Sequence, residues 1–539
     1  MAAVLSVAAL AAAADDLRLI EAVRIGDRQA VRSLLGERVD VNAAQGDGAT
    51  ALAWAVHRDD PPMAELLINA GGNVNAANDY GVTPLSLACT NRNSALVAIL
   101  LDAGANPNAA LSTGETPLMT CAKTGSVDAV TSLLAHRPDV NAENRRGQTA
   151  LMWAAANKRP EIARLLIERG ANVNASSRTL KGFTPPQYFT YGVPEFITDE
   201  PSAETHPDLM TSRGGFTPLM FAARAGDLET AGVLVAARAN LNHASPDYGS
   251  ALVVASLNGH ELLAIFLAEQ RADPNIADGW GFTALHYALR DGINAIGMAR
   301  SRVPSDRQWL RSNMPALVIA LLEHGANPNA RVTKGLPPYD YLPYAREDNG
   351  QLPYLRQPGA TPFLLAAAST DLPSMRALVA AGADPLAATD EGATPLMVAA
   401  GLGKLTRLSP EQEATALEAV RMTVALGADV DTALKDGRTA LMGAAHLGAN
   451  TIVEFLAERG ANLNAKDKYG QTALGVAEGR SPGSGARGNR RYFRFSAGGG
   501  GESTAGPGVQ KSTAELLLRL GATPLPARAP QRAGDAPTP

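Results

Sequence analysis

The side chains able to do covalent or metal chemistry are few in this chain and poorly spaced for it. Eight histidines are spread over 539 residues. No His-x-x-x-His or His-Glu-x-x-His pair puts two imidazoles on one helix face, and no Cys-x-x-Cys offers a metal two thiolates. Gly401-Leu-Gly-Lys404-Leu-Thr has the look of a phosphate loop. Its glycine spacing is wrong, however, and Leu405 stands where Ser or Thr must follow the lysine. No Gly-x-Ser-x-Gly elbow presents a nucleophile. Cys89 and Cys121 each replace an alanine in a run of small residues, which predicts two buried core residues rather than a reactive thiol or a disulfide. The expectation is a non-catalytic protein with no metal and no cofactor.

Aromatic residues make up 5% of the chain, so where they gather is informative. Tyr188, Phe189, Tyr191 and Phe196 fall in one proline-rich stretch, and Tyr339, Tyr341, Tyr344 and Tyr354 in another. The two stretches resemble each other: Lys181-Gly-Phe-Thr-Pro-Pro-Gln-Tyr188 against Lys334-Gly-Leu-Pro-Pro-Tyr339. Proline holds such segments extended at low entropic cost, and tyrosine adds contact area with a polar tip. That composition suits a recognition surface; it equally suits rings that fold back to seal the protein's own edge.

What must position these segments is a repeated frame. Eleven glycines mark it: Gly48, Gly81, Gly114, Gly147, Gly215, Gly249, Gly281, Gly359, Gly392, Gly437 and Gly470. The first four are spaced at 33 residues, and each opens a near-copy of one phrase, as in Gly81-Val-Thr-Pro-Leu or Gly215-Phe-Thr-Pro-Leu. A fixed period of this length marks a solenoid. Within one unit, Thr217 is placed to cap a helix with Pro218 at its first position, where a missing N–H costs nothing. Gly226-Asp227 ends that helix, Leu228 to Ala237 forms a second, and a hairpin through Asp247-Tyr248-Gly249 leads into the next unit.

The phrase Thr-Pro-Leu-x-x-Ala-Ala, followed by Gly-Ala-Asn-x-Asn-Ala and a turn ending in Gly, resembles the ankyrin repeat. The histidine typical of that repeat after Thr-Pro-Leu survives only at His286; Ser86, Met119, Met152, Met220, Met397 or Met442 stands there elsewhere. The resemblance implies an all-α solenoid of about twelve helix-turn-helix-hairpin units. A capping repeat spans 15–47; repeats follow at 48–181, 215–331 and 359–479, and the last helix at 512–523. Insertions interrupt the frame at 182–214 and 332–358 in hairpins, and at 292–314, 402–414 and 480–511 between helices. The last of these carries Arg487, Arg490, Arg491 and Arg494 among glycines. The tail 524–539 is expected to be disordered.

The resemblance also implies a partner held by hairpin tips and first helices. The candidate tips are Tyr80, Arg145, Arg146, Tyr248, Trp280 and Tyr469, with Tyr80, Tyr248, Trp280 and Tyr469 sharing the slot before glycine; an aromatic on a rigid tip is a plausible anchor. Trp54, Trp153, Phe221 and Tyr287 form a second equivalent set, expected to pack between repeats. The expected function is protein–protein binding as a monomer; the alternative is a glycan, peptide or small ligand held by the same Pro/Tyr segments. A net charge of −5 and a pI near 6 give no call for nucleic acid, and no long apolar run predicts a membrane span. Residues 1–14, apolar and ending Ala-x-Ala before Asp15, resemble a signal peptide without its basic start. They imply a periplasmic or secreted protein; otherwise they form the first helix of the cap.

Overall fold

A computed structural model describes residues 17–183, 210–297, 312–334, 355, 357–404, 407–479 and 510–524. These fall into two compact units, the first drawn from 17–182 and 212–272, the second from 183, 210–211 and 273 onward. Each is a stack of short antiparallel helix pairs, an all-α repeat solenoid. All eight candidate aromatics of the Pro/Tyr segments (Tyr188, Phe189, Tyr191, Phe196, Tyr339, Tyr341, Tyr344, Tyr354) lie outside the described residues. So do 1–14, the arginines of 487–495 and the tail after 524.

Unit 1 holds α1 (17–25) and α2 (Arg28–Gly36), then the pairs α3 (Ala51–His57) and α4 (Pro61–Asn69), α5 (Pro84–Asn91) and α6 (Ser94–Asp102), α7 (Pro117–Thr124) and α8 (Val127–Ala135), α9 (Ala150–Ala156) and α10 (Pro160–Glu168), α11 (Pro218–Ala225) and α12 (Leu228–Ala236), and α13 (Ala251–Leu257) and α14 (Glu261–Glu269). Between α10 and α11, β1 (Leu180–Phe183) and β2 (Met210–Arg213) pair as a two-stranded stem.

The first helices start where the threonines stand. Thr50, Thr83, Thr116, Thr149 and Thr217 each accept the backbone N–H three residues on, which satisfies one orphan donor of the helix start. Two residues after each cap lies a leucine (Leu52, Leu85, Leu118, Leu151, Leu219), at most 1% exposed. The second helices bury a leucine each as well (Leu67, Leu100, Leu133, Leu166, Leu234). Burial of each such side chain contributes about 2 kcal/mol.

The Asn-x-Asn phrase turns out to be a cross-repeat ladder. The first Asn or Asp closes its own turn, as Asn73 does on the N–H of Asn75. The second reaches into the next repeat. Asn75 Oδ1 accepts the N–H of Asn106 at 2.7 Å while its Nδ2 donates to the Gly104 carbonyl at 3.0 Å, and Asn141 binds Asn172 and Gly170 in the same way. In the second unit Asn275 and Asn329 repeat the pattern.

That second unit comprises α15 (Ala284–Ala288), α16 (Arg290–Gly297) and α17 (Pro315–Glu323); α18 (Pro362–Ala368) and α19 (Leu372–Ala380); α20 (Pro395–Ala399) and α21 (Pro410–Ala425); α22 (Ala440–Leu447) and α23 (Asn450–Glu458); and α24 (Ala473–Ala477) and α25 (Lys511–Arg519). Two expected insertions are therefore partly helical. The stretch from 292 begins inside α16, because Leu289, Ile293 and Ile296 form an apolar stripe at helical spacing, all at most 2% exposed. Residues 410–414 open α21, capped by Ser409 with Gln412 completing a capping box.

Cys89 and Cys121 form a disulfide, which corrects the expectation of two unlinked core residues. Cys89 is the sixth residue after its capping threonine and Cys121 the fifth after the next one. At those two positions the other repeats place mostly alanines, such as Ala122 and Ala154. With Cα atoms 4.8 Å apart, the pair is well within bridging distance.

Candidate functional site

The face most exposed to a partner is read from two positions of the first helix: the fourth and seventh residues after the capping threonine. In unit 1 this face is open over α3 to α9. Trp54, Leu87, Thr120 and Trp153 are partly exposed at the fourth position, and His57, Thr90 and Lys123 are exposed at the seventh. Farther along, Phe221 and Val254 are buried, but Arg224 remains exposed.

The aromatic set at the fourth position does more than pack between repeats. Trp54 Nε1 donates to Gln45 Oε1 at 2.9 Å, and the Tyr287 hydroxyl donates to Asp278 Oδ2 at 2.5 Å. Gln45 and Asp278 hold the same slot, five residues before the cap, so each bond ties a hairpin to its own first helix. In the repeat of Trp153 that slot is Asn144, whose amide instead donates to Gln148 Oε1. Trp153 Nε1 is consequently a buried donor with no acceptor among the described residues. Lys123 Nζ lies 4.8 Å from the centre of the Trp153 ring, and Arg224 sits over Phe221 and Phe216 at 5.0 and 5.6 Å.

In the second unit the same positions are covered over α15 to α20 and at Gly443, whereas His446 and Val476 are partly exposed and Gly479 is exposed. Tyr287, Leu365, Val398 and Gly443 are buried at the fourth position, and Arg290, Ala368 and Gly401 at the seventh. The cover comes from the unit's own additional segments. Helix α16 lies along α18 so closely that a Cβ on Gly292 would strike the Leu365 backbone. Gln357, 2% exposed, reaches the Ile293 carbonyl with Nε2. Leu402 lies across Gly443, where a side chain would collide with its backbone. Val332 and Leu355, both 2% exposed, bury the two ends of the second Pro/Tyr segment.

The chemistry of the covered region is structural. Asp278 accepts the N–H groups of Trp280 and Phe282 as well as the Tyr287 hydroxyl. Burial nevertheless pushes its carboxyl up to about 6. His286 receives the Thr283 N–H at Nδ1, and its Nε2 faces the Ala330 carbonyl at 3.1 Å. Burial pushes its imidazole down to about 4, so it is neutral. Among the described residues no group of His, Cys, Asp and Glu is placed to hold a metal, and no helix is long and apolar enough to cross a membrane.

The tip residues do not behave alike. Tyr80 is 68% exposed and Tyr469 42%, the latter under Lys468 at 5.0 Å. Arg145 and Arg146 are exposed. Trp280 is only partly exposed, and its carbonyl accepts from Thr333 and Lys334. Tyr248 does not share their slot. Gly249 immediately precedes the helix-starting Ser250, one residue short of the usual interval, and the Tyr248 ring packs edge-on against Phe216 at 5.1 Å. That missing residue is visible in Gly249-Ser-Ala-Leu against Gly81-Val-Thr-Pro-Leu.

No curated protein matches the chain. The family model for ankyrin repeats (3 copies) matches residues 19–111, 104–177, 219–299 and 412–482. Such repeats are generally protein–protein interaction modules and typically non-catalytic. With stacked helix pairs, capped Thr-Pro-Leu starts and a matched region covering more than half its length, the chain belongs to the ankyrin-repeat family.

Proposed function

We propose that this protein is a non-catalytic scaffold that binds a partner protein on the first-helix face and hairpin tips of unit 1, with the Pro/Tyr segments adding contacts. The contrast between a face left open over α3 to α9 in unit 1 and one covered over α15 to α20 in the second unit carries this reading. A rigid, pre-formed surface loses little entropy on docking, and Trp54, Tyr80 and Trp153 offer aromatic area on it. We further propose that the protein works in an oxidising compartment, periplasmic or extracellular. The Cys89–Cys121 disulfide supports this, since such bonds persist mainly where thiols are not kept reduced.

Affinity capture tests the binding reading. The full chain is compared with a variant lacking 184–209 and 335–354, and with W54A/Y80A. These deletions spare Val332, Leu355 and Gln357, which are part of the core. A partner lost with W54A/Y80A supports the unit 1 face, and one lost only with the deletions moves the site to the Pro/Tyr segments. No specific partner for any form would sink the scaffold reading.

A further inference from the structure

Across α7, α9 and α11 the open face changes character from neutral to cationic. Arg145 and Arg146 form one hairpin tip, and Arg178 lies on the next, its N–H donating to the Arg146 carbonyl at 2.8 Å. Below the tips stand Lys123 over Trp153 and Arg224 over Phe221. All five cations are exposed. The ion pairs of unit 1 join other residues (Arg24 with Glu21, Arg28 with Asp60, Arg164 with Glu229), so none of the five is neutralised among the described residues. Two carboxylates, Glu115 and Glu143, share these hairpins and leave the patch net positive.

Five exposed cations gathered on one side of the unit are answered by a run of acceptors carrying negative charge. A long polyanion such as nucleic acid fits less well. The patch spans only a few repeats, the preceding tips carry Asp47 and Asp79, and the whole chain is net negative.

We propose that this half of the face binds an Asp/Glu-rich segment of a partner protein. Its carboxylates meet Arg145, Arg146, Arg178 and Lys123. The proposal rests on the scaffold reading above and specifies its partner.

The test uses the full chain and a fluorescein-labelled peptide of about twelve residues, mostly Glu and Asp, followed by anisotropy. The expected result is saturable binding that weakens roughly tenfold between about 50 mM and about 500 mM salt. Binding should weaken at least tenfold in R145E/R146E and remain unchanged in R376E, a reversal on α19 outside the patch. Folding of each variant is checked by circular dichroism. Equal binding by wild type and R145E/R146E, equal binding of the matching Lys-rich peptide, or tighter binding of a single-stranded oligonucleotide would overturn the proposal. A captured partner insensitive to R145E/R146E would also sink it, while leaving the scaffold reading intact.

Discussion

The disulfide between Cys89 and Cys121 gives the most quantitative test. The bond closes a loop with a sequence separation of 32. In the chain-entropy description, a cross-link over that interval removes about 12 cal/mol/K from the unfolded chain, or roughly 4 kcal/mol at 25 °C. Replacing both residues by alanine adds little packing cost, because Ala122 and Ala154 fill the same facing positions one repeat on and are fully buried there. The C89A/C121A variant and the reduced wild type should therefore lose similar stability relative to the oxidised protein. Each repeat contacts only its neighbours, so the loss should centre on α5 to α8. At a urea slope of about 3 kcal/mol per molar, the midpoint for those helices falls by somewhat more than 1 M. Hydrogen exchange resolved by peptide, run on all three forms, reads it helix by helix. The reasoning fails if the native, unreduced protein takes up alkylating reagent at both cysteines once denatured. It fails equally if oxidised protein and C89A/C121A protect α5 to α8 to the same extent.

Three further outcomes follow from the packing. Gly292→Ala, which in an open helix would stabilise, should destabilise by about 1–3 kcal/mol because its Cβ meets the Leu365 backbone; faster proteolysis around 290–313 is the readout. Between pH 4 and 6 two buried groups act in opposite directions. His286, at about 4 when folded against 6.5 free, withdraws about 3 kcal/mol of stability as pH falls through that interval. Asp278, at about 6 when folded against 3.8 free, withdraws a similar amount as pH rises through its own interval. Asp278→Asn, the residue found in this slot at Asn78 and Asn144, should thus gain about 1–3 kcal/mol at pH 7 and become visibly acid-labile, measured as unfolding midpoint against pH. Finally, Asn141→Ala removes two inter-repeat hydrogen bonds and should cost about 1–2 kcal/mol; a mid-array ladder residue with no effect on the urea midpoint would contradict that.

The fold was largely legible because its determinants are local. Threonine caps, the proline after them and left-handed glycine turns are written within a few residues of where they act. The Asn-x-Asn phrase was visible, but not that its second residue serves the next repeat. What escaped the reading depends on contacts between repeats. The cysteine pair looks like two unrelated alanine replacements until the sixth position of one repeat is set against the fifth of the next. The covered face of the second unit was hidden for a similar reason: Gly292, Gly401 and Gly443 read as scattered small residues, yet they make room for neighbouring backbone and side chains. Of the candidate site, Tyr80, Arg145 and Arg146 are exposed where expected. Tyr248 precedes a glycine as Tyr80 does, but one deleted residue shifts its register against the helix cap, and the hydrogen bonding of Trp153 depends on what Asn144 bonds.

The asparagine ladder also bears on how such a chain can change over time. Asn141 accepts the N–H of Asn172, 31 residues away, while Asn174 accepts that of Asn240 at the same 2.7 Å across 66. The rung is indifferent to what is spliced between its ends. Lengthening a loop costs only about 0.6 kcal/mol for each doubling, so the position after Asn174 behaves as a socket. Sequence can be gained, traded or lost there while the neighbouring repeats keep their register, which makes this hairpin a natural place for evolution, or an engineer, to install a new module.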